Sequence, residues 1–216
     1  MTGAASGLQR TPVADLLADD LRRRILDGDP PAGAPLREVE LAERYRVSRH
    51  TLRAALRVLQ ADGLVRIEAN RGARVAKLER DDLVSLFELR TALELEAAWL
   101  ALEHGGGRLP QSVHDAVERL ADACAARRSW RVVARRHAAV HESLVNASGS
   151  PRIVAAYGSL AAELQLFVVQ IRPAWPPDRM AEHHRRLLRD LEREGAEPLR
   201  SHLRDGLESV LDPGHG

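Results

Sequence analysis

The chain has 216 residues, with 32 Lys and Arg against 31 Asp and Glu, and this length allows one large domain or two small ones. Its single cysteine, Cys124, cannot form an internal disulfide, which argues against a disulfide-rich secreted protein. No run of 18 apolar residues is present, which argues against a membrane-spanning protein. The first ten residues lack the apolar core of a signal peptide, so we expect a cytoplasmic protein with no membrane partner.

The net charge near zero conceals two differently charged segments. Residues 1–76 contain 13 Arg and 10 acidic residues, a net charge of +3, whereas residues 77–216 have a net charge of −2. Lys77 is the only lysine, and arginine can bind phosphate through two parallel hydrogen bonds. A general preference for arginine in both segments explains this composition more simply, so charge alone identifies no partner.

The first segment contains three predicted helices. Pro12 is typical of the first position of a helix, and helical spacing of apolar residues continues to a stop at Gly28. A second helix is predicted over about residues 36–45, and a third begins after the N-cap Ser48 and ends at Gly63. Two short helices joined by a tight turn, the second with a basic start, indicate a helix-turn-helix.

Two short strands follow these helices, at residues 64–68 and 73–76, and their composition predicts a hairpin. Three helices followed by a hairpin are typical of a winged helix-turn-helix. The apolar face of the third helix leaves Arg49, His50 and Arg53 pointing outward near its N-terminus, where a recognition helix meets base edges in the major groove. The alternative is an arginine-rich helix face that contacts only solvent.

A long ordered motif extends from Leu36 to Val65, with the sequence L-R-E-x-x-L-A-x-x-Y-x-V-S-R-x-T-L-R-x-x-L-x-x-L-x-x-x-G-L-V. It resembles the DNA-binding domain of GntR-type transcriptional regulators, in which residues of the third helix contact operator DNA and the wing tip approaches the minor groove. Helix position and resemblance together assign these DNA-binding residues: Arg37, Ser48, Arg49, His50, Thr51, Arg53, Asn70, Arg71 and Gly72. The run from His50 to Leu52 departs from the Thr-Pro-Val that many members have at this place. This departure bears on which operator sequence is recognised and not on DNA binding itself.

The second segment is predicted to be helical throughout, with breaks at glycine and proline clusters. The predicted helices cover residues 82–104, 111–127, 129–148, 151–172, 178–194 and 197–211. No alternating strand pattern competes with them. Six helices with short connections imply an antiparallel bundle.

Four histidines of this bundle are predicted to point into its interior. His137 and His141 lie one turn apart on one helix face, a spacing that lets two imidazoles bind one ion. His184 and His202 lie beside the apolar stripes of the fifth and last helices. Several neutral imidazoles in an apolar core are costly without a shared partner, which favours a metal site. Separately hydrogen-bonded core histidines are the alternative.

The motifs F-E-L-R-x-x-L-E-x-x-A-A, V-H, S-G-S-P and H-x-x-L-L make this segment similar to the FCD-type effector domain of FadR-like GntR regulators. Many members bind a divalent metal through an Asp and three His, with a small organic acid beside it. The resemblance matches the histidine positions to His141, His184 and His202 and the Asp position to His137. It therefore implies a metal site, with zinc or nickel as the ions that imidazole suits. The residue that matches Arg90 can clamp a carboxylate effector; a salt bridge with the glutamate one turn later is the alternative.

These features predict a mainly α-helical regulator with a winged helix-turn-helix domain at residues 10–76, a linker at 77–81 and an all-helical effector-binding and dimerisation domain at 82–211. We expect a homodimeric repressor that binds palindromic double-stranded operator DNA and responds to a small carboxylate. One alternative is a helical domain that serves only as a dimerisation scaffold without metal. A metalloenzyme is disfavoured because Ala138 stands where the HExxH proteases have their general base.

Overall fold

The computed structural model describes residues 13–68, 72–170 and 176–211, and the chain divides into two compact units between Ala76 and Lys77. In the first unit, the described helices and strands are α1 (Val13–Leu26), β1 (Pro35–Leu36), α2 (Glu38–Tyr45), α3 (Arg49–Ala61), β2 (Val65–Glu68) and β3 (Gly72–Val75). The three strands form an antiparallel sheet in the order β1-β3-β2. Three helices and a wing confirm the predicted winged helix-turn-helix.

Strand β1 differs from the prediction, which began the second helix at Leu36. Pro35 and Leu36 instead pair with Arg74 and Ala73 of β3, and α2 begins at Glu38. Leu36 is buried in this strand, so its apolar side chain contributes to the core without belonging to the helix. Pro12 and the predicted wing turn at residues 69–71 lie outside the described residues.

The core of the first unit lies between α1 and α3. Leu21 and Ile25 of α1 and Leu52 and Leu56 of α3 are buried, because each helix presents apolar residues three or four positions apart. The Ser48 side chain accepts a hydrogen bond from the Thr51 backbone N–H at 3.0 Å and caps α3, as predicted. The cap fixes where α3 begins, and this start determines which residues of its first turn point outward.

The described part of the second unit contains seven helices. They are α4 (Arg80–His104), α5 (Gln111–Ala125), α6 (Trp130–Ala147), α7 (Pro151–Gly158), α8 (Ala161–Gln170), α9 (Pro177–Glu194) and α10 (Pro198–Leu211). Helix α6 packs against α4, α5 and α8, and α10 packs against α4 and α9. The predicted all-helical bundle is confirmed.

The single helix predicted over residues 151–172 is wrong, because α7 and α8 are separate helices bent by 46°. The break follows Gly158, a poor helix former, and the Ser159 hydroxyl donates to the Ala156 carbonyl, which competes with the helical backbone pattern. Residues 171 and 172 lie outside the described range. Within the part of the chain that the structure describes, no single helix is long and apolar enough to cross a membrane, and only this bent pair reaches that length and composition together.

Candidate metal centre and DNA-contact surface

The predicted DNA-contact residues lie on the surface of the first unit. Arg49 and His50 occupy the first turn of α3 and are exposed, as are Ser48 before it and Arg53 one turn on. Thr51 is half-buried, and its hydroxyl lies 2.8 Å from that of the capping serine. The N-terminus of α3 thus presents two guanidinium groups, an imidazole and the backbone N–H groups of a first helical turn.

The remaining residues of the predicted surface lie on α2 and the wing. Arg37 is exposed at the N-cap of α2 and donates to Glu40 at 3.2 Å. Gly72 is exposed at the start of β3, whereas Asn70 and Arg71 lie outside the described residues. The Arg53 Nε donates to Glu38 of α2 at 2.8 Å, so a contact between α2 and α3 orients this arginine.

Three histidines come together in the interior of the second unit. His137 and His141 lie one turn apart on α6, and His184 comes from α9; all three are buried. One ligating nitrogen from each ring lies within 4.8 Å of those of the other two. Three of the four predicted metal ligands therefore form one cluster.

Two rings of the cluster are oriented by hydrogen bonds at Nδ1. His141 Nδ1 lies 2.8 Å from Glu94 Oε2, and His184 Nδ1 lies 2.7 Å from the Met180 carbonyl oxygen. Both partners are acceptors, so in each neutral ring Nδ1 carries the proton and Nε2 carries a lone pair. The two Nε2 atoms face each other at 3.2 Å. Two lone pairs in contact repel each other, whereas a shared cation would bind both.

Burial keeps these imidazoles neutral. Burial lowers the pKa of His137 and His184 well below the usual value, and neighbouring histidines lower it further. For His141, burial also lowers the pKa, although the carboxylate of Glu94 opposes that shift. Neutral imidazole is the form that binds a metal ion, so the donor chemistry of the cluster fits a borderline divalent cation.

Glu94 joins this cluster to Arg90. Arg90 Nε donates to Glu94 Oε1 at 2.7 Å, and the Tyr157 hydroxyl donates to the same oxygen at 2.8 Å. Burial alone would raise the pKa of Glu94, but the positive charge of Arg90 and the hydrogen bonds from Arg90 and His141 outweigh it and hold that pKa well below its usual range. Arg90 thus makes the salt bridge that was the alternative to effector binding.

Arg90 also lines two small cavities beside His137 and His141, of about 20 and 10 Å³. Phe87 and His202 line the larger cavity, and Tyr157 lines the smaller. A water molecule needs roughly 10–15 Å³ of such accessible cavity volume, so the larger cavity has room for a water or an ion. An organic acid would require the surrounding helices or side chains to move.

His202 lies next to the cluster, but it is not among the three histidines whose ligating nitrogens lie within 4.8 Å of one another. Its ring centroid is 4.7 Å from that of His184, but the ring stacks on His183 at 4.2 Å. The buried Nδ1 atoms of His137 and His202 have no hydrogen-bond partner among the described residues. Such unpaired buried nitrogens are costly and are the atoms that a bound ion would satisfy.

Tyr157 and His183 are not among the predicted site residues. Tyr157 lies on α7, whose separation from α8 was not predicted, so its contact with Glu94 could not be inferred from helix periodicity. His183 precedes His184 in the sequence, but only His184 fits the apolar stripe of α9, so His183 was not predicted as a site residue. Glu94 was expected only as a salt-bridge partner of Arg90, one turn earlier on the same helix, and its contact with His141 was not predicted.

Comparison with known families places both units. The family described as "Bacterial regulatory proteins, gntR family" matches residues 14–75, and the FCD domain family matches residues 85–209. The chain belongs to the GntR family. Its second unit is an FCD domain, as the sequence motifs predicted.

Individual relatives of this regulator agree with that assignment. It is 31% identical over 194 residues to the probable D-xylose utilization operon transcriptional repressor of Paenarthrobacter nicotinovorans, covering 89% of this chain and 84% of the relative. It is 34% identical over 113 residues to the Glc operon transcriptional activator of Escherichia coli K12, covering 45% of this chain and 44% of the relative. A GntR regulator structure from Rhodococcus sp. RHA1 gives a TM-score of 0.74 at 25% identity, covering 93% of this chain and 98% of that one. The family consists of transcriptional regulators, so the regulator is not an enzyme.

The buried histidines predict that the metal-free regulator loses stability in mild acid. Their folded-state pKa lies below the unfolded value of about 6.5, so the unfolded chain takes up protons first as the pH falls. Stability is therefore fully present above pH 6.5 and falls below it, by about 1.4 kcal/mol per pH unit for each proton. Urea unfolding of the FCD domain in a chelator between pH 7.5 and 5.5 measures this slope. His184→Gln should reduce it, and an equal slope in both proteins would contradict the assignment.

Proposed function

We propose that this regulator is a homodimeric repressor that binds palindromic operator DNA and is controlled by a small organic acid beside a divalent metal ion. The facing Nε2 atoms of His141 and His184 are the observation that carries the metal and effector part of this proposal. The relative with 84% coverage is a probable repressor, which supports repression, although an activator is also among the relatives.

The DNA-binding part of the proposal rests on the first turn of α3. Arg49, His50 and Arg53 are exposed at the end of the helix that enters the major groove in winged helix-turn-helix proteins. Arginine can bind guanine through two hydrogen bonds, and Glu38 holds Arg53 by Nε, which leaves the terminal amino groups as the donors for a base. A regulator that binds operator DNA acts where that DNA lies, so we place this protein in the cytoplasm. We assign the following additional contacts to phosphate, base edges or the minor groove: Arg37, Ser48, Thr51, Asn70, Arg71 and Gly72.

In this proposal His137, His141 and His184 hold the metal, and His202 is the candidate for the fourth position. A set of imidazoles without a carboxylate favours zinc or nickel over magnesium or calcium, which prefer oxygen ligands. The ion would supply positive charge and an open coordination position for an anion. The protein residues supply the neutral imidazole rings and the hydrogen bonds that orient them.

Arg90 is the proposed effector contact. Its guanidinium is buried, lines both small cavities and keeps its charge next to Glu94. A carboxylate between Arg90 and a metal ion would meet two positive charges, so an anionic effector matches the electrostatics of the site. Because ligand pockets are typically about 300–1,000 Å³, effector binding requires the bundle to open around these cavities.

The proposal assigns DNA binding to residues 10–76, a linker to residues 77–81, and effector binding with dimerisation to residues 82–211. An effector that rearranges the helices around Arg90 would change the placement of two DNA-binding domains in a dimer, and thereby the half-site spacing that they fit. The competing function is a helical domain that serves only as a dimerisation scaffold. The unpaired buried Nδ1 atoms of His137, in the histidine cluster, and of His202, beside it, favour the metal-dependent form.

Replacing Arg49 and Arg53 with alanine should strongly weaken specific DNA binding. Each bidentate arginine contributes about 1–3 kcal/mol of discrimination, so the double variant should bind the upstream region of its own gene at least roughly 30-fold more weakly. The slope of log affinity against log salt should also fall, because fewer counterions are released. The charge-matched control is Arg193→Ala with Arg200→Ala, on the surface of the FCD domain. Fluorescence anisotropy that finds equal affinity for both double variants would contradict the DNA-binding assignment.

Removing a proposed metal ligand should abolish zinc binding. Wild-type protein at a free zinc concentration 100 times its dissociation constant should gain about 2.7 kcal/mol of stability, since only the folded state contains the site. His141→Ala and His184→Ala should lose this gain, whereas His104→Ala, at the exposed end of α4, should keep it. Thermal unfolding with zinc and with a chelator measures the gain. Absence of any gain in the wild type would favour the dimerisation scaffold.

A further inference from the structure

The buried carboxylate of Glu94 divides its two oxygens among three donors. Oε1 accepts from Arg90 Nε at 2.7 Å and from the Tyr157 hydroxyl at 2.8 Å, whereas Oε2 faces His141 Nδ1 at 2.8 Å. We propose that Glu94 is a positioning residue that fixes His141 as the Nδ1–H tautomer and so directs the Nε2 lone pair into the histidine cluster. This inference rests on the proposed metal site and extends it beyond the ligands themselves.

The division of donors between the two oxygens sets the orientation of the carboxylate. Arginine has no acceptor atom, so the bond between Arg90 and Oε1 has one possible direction. The Tyr157 hydroxyl shares Oε1 and therefore adds a second restraint on the same side. Oε2 remains as the atom that meets His141 Nδ1. The tautomer of His141, on α6, consequently depends on residues of α4 and α7.

His184 provides an internal comparison. Its Nδ1 faces the carbonyl oxygen of Met180, four residues earlier on the same helix, so its tautomer follows from local helix geometry. The partner of His141 is a charged side chain 47 positions away in the sequence. A carboxylate partner also makes the opposite ring nitrogen a stronger metal ligand than a neutral carbonyl does. Glu94 thus orients His141 and raises the basicity of its Nε2 atom.

A glutamine at position 94 tests this role because its two ends differ. The Arg90 Nε–H needs an acceptor, so the amide oxygen must replace Oε1, and the amide nitrogen must then replace Oε2. An amide N–H that faces His141 Nδ1 requires an acceptor there, and the ring then carries its proton on Nε2. Glu94→Gln should therefore place a proton at the nitrogen that faces His184, with almost no change in side-chain volume.

The decisive measurement is the tautomer of His141 in the metal-free protein, read from two-bond proton–nitrogen NMR spectra of the imidazole rings and assigned by loss of the signal in His141→Ala. The wild type should show the Nδ1–H form and Glu94→Gln the Nε2–H form. Zinc affinity, measured by competition with a chromophoric chelator, should fall roughly 10–100-fold in Glu94→Gln, as for other residues that orient metal ligands. Tyr157→Phe, which leaves the bond at Oε2 intact, should keep the wild-type tautomer and lose less affinity.

An Nε2–H wild-type ring would overturn the inference, and so would a Glu94→Gln protein with unchanged tautomer and zinc affinity. If Glu94→Gln does not fold by circular dichroism, Glu94→Asp replaces it: the charge stays near Arg90 but the oxygen withdraws from His141, so zinc affinity should still fall. An unchanged affinity in that variant would again contradict the role of Glu94. A wild-type protein with the Nδ1–H form but no zinc binding would refute the metal site and leave the tautomer assignment standing.

Discussion

Two imidazole nitrogens that face each other without a proton between them determine the chemistry of the FCD domain. Glu94 and the Met180 carbonyl each bind the Nδ1 proton of one ring, so the Nε2 atoms of His141 and His184 meet at 3.2 Å as two acceptors. In a buried site this contact is unfavourable unless a cation shares both lone pairs. The helices α4, α6 and α9 supply these groups, and the proposed metal ion would bind both lone pairs.

The charge balance of the site is the reason why a bound metal ion would favour an anionic effector. Arg90 and Glu94 offset each other, and the imidazoles are neutral, so a divalent ion would add two positive charges to a buried environment. A carboxylate ligand would lower that electrostatic cost, whereas a neutral sugar would not. The small volume of the adjoining cavities means that such a ligand must open the bundle, which is the kind of movement that can reach DNA-binding domains.

Local sequence signals predicted most of the fold, and contacts between distant segments account for what they missed. The Ser48 cap and the apolar spacing of α3 are local, so the recognition helix and its outward arginines could be predicted. Strand β1 exists only because β3 pairs with it, and it was missed. The histidine spacing on α6 indicated a cluster, but the stacking of His202 on His183 depends on how α9 and α10 pack, which periodicity does not specify.

The most direct test of the account is the X-ray absorption spectrum of the zinc- or nickel-loaded regulator. We expect at least three imidazole ligands at about 2.0–2.1 Å from zinc, with one fewer in His141→Ala. That result would show that the facing nitrogens of α6 and α9 share one ion. An ion with oxygen ligands alone, or a spectrum that His141→Ala leaves unchanged, would contradict the claim that this cluster is a metal centre.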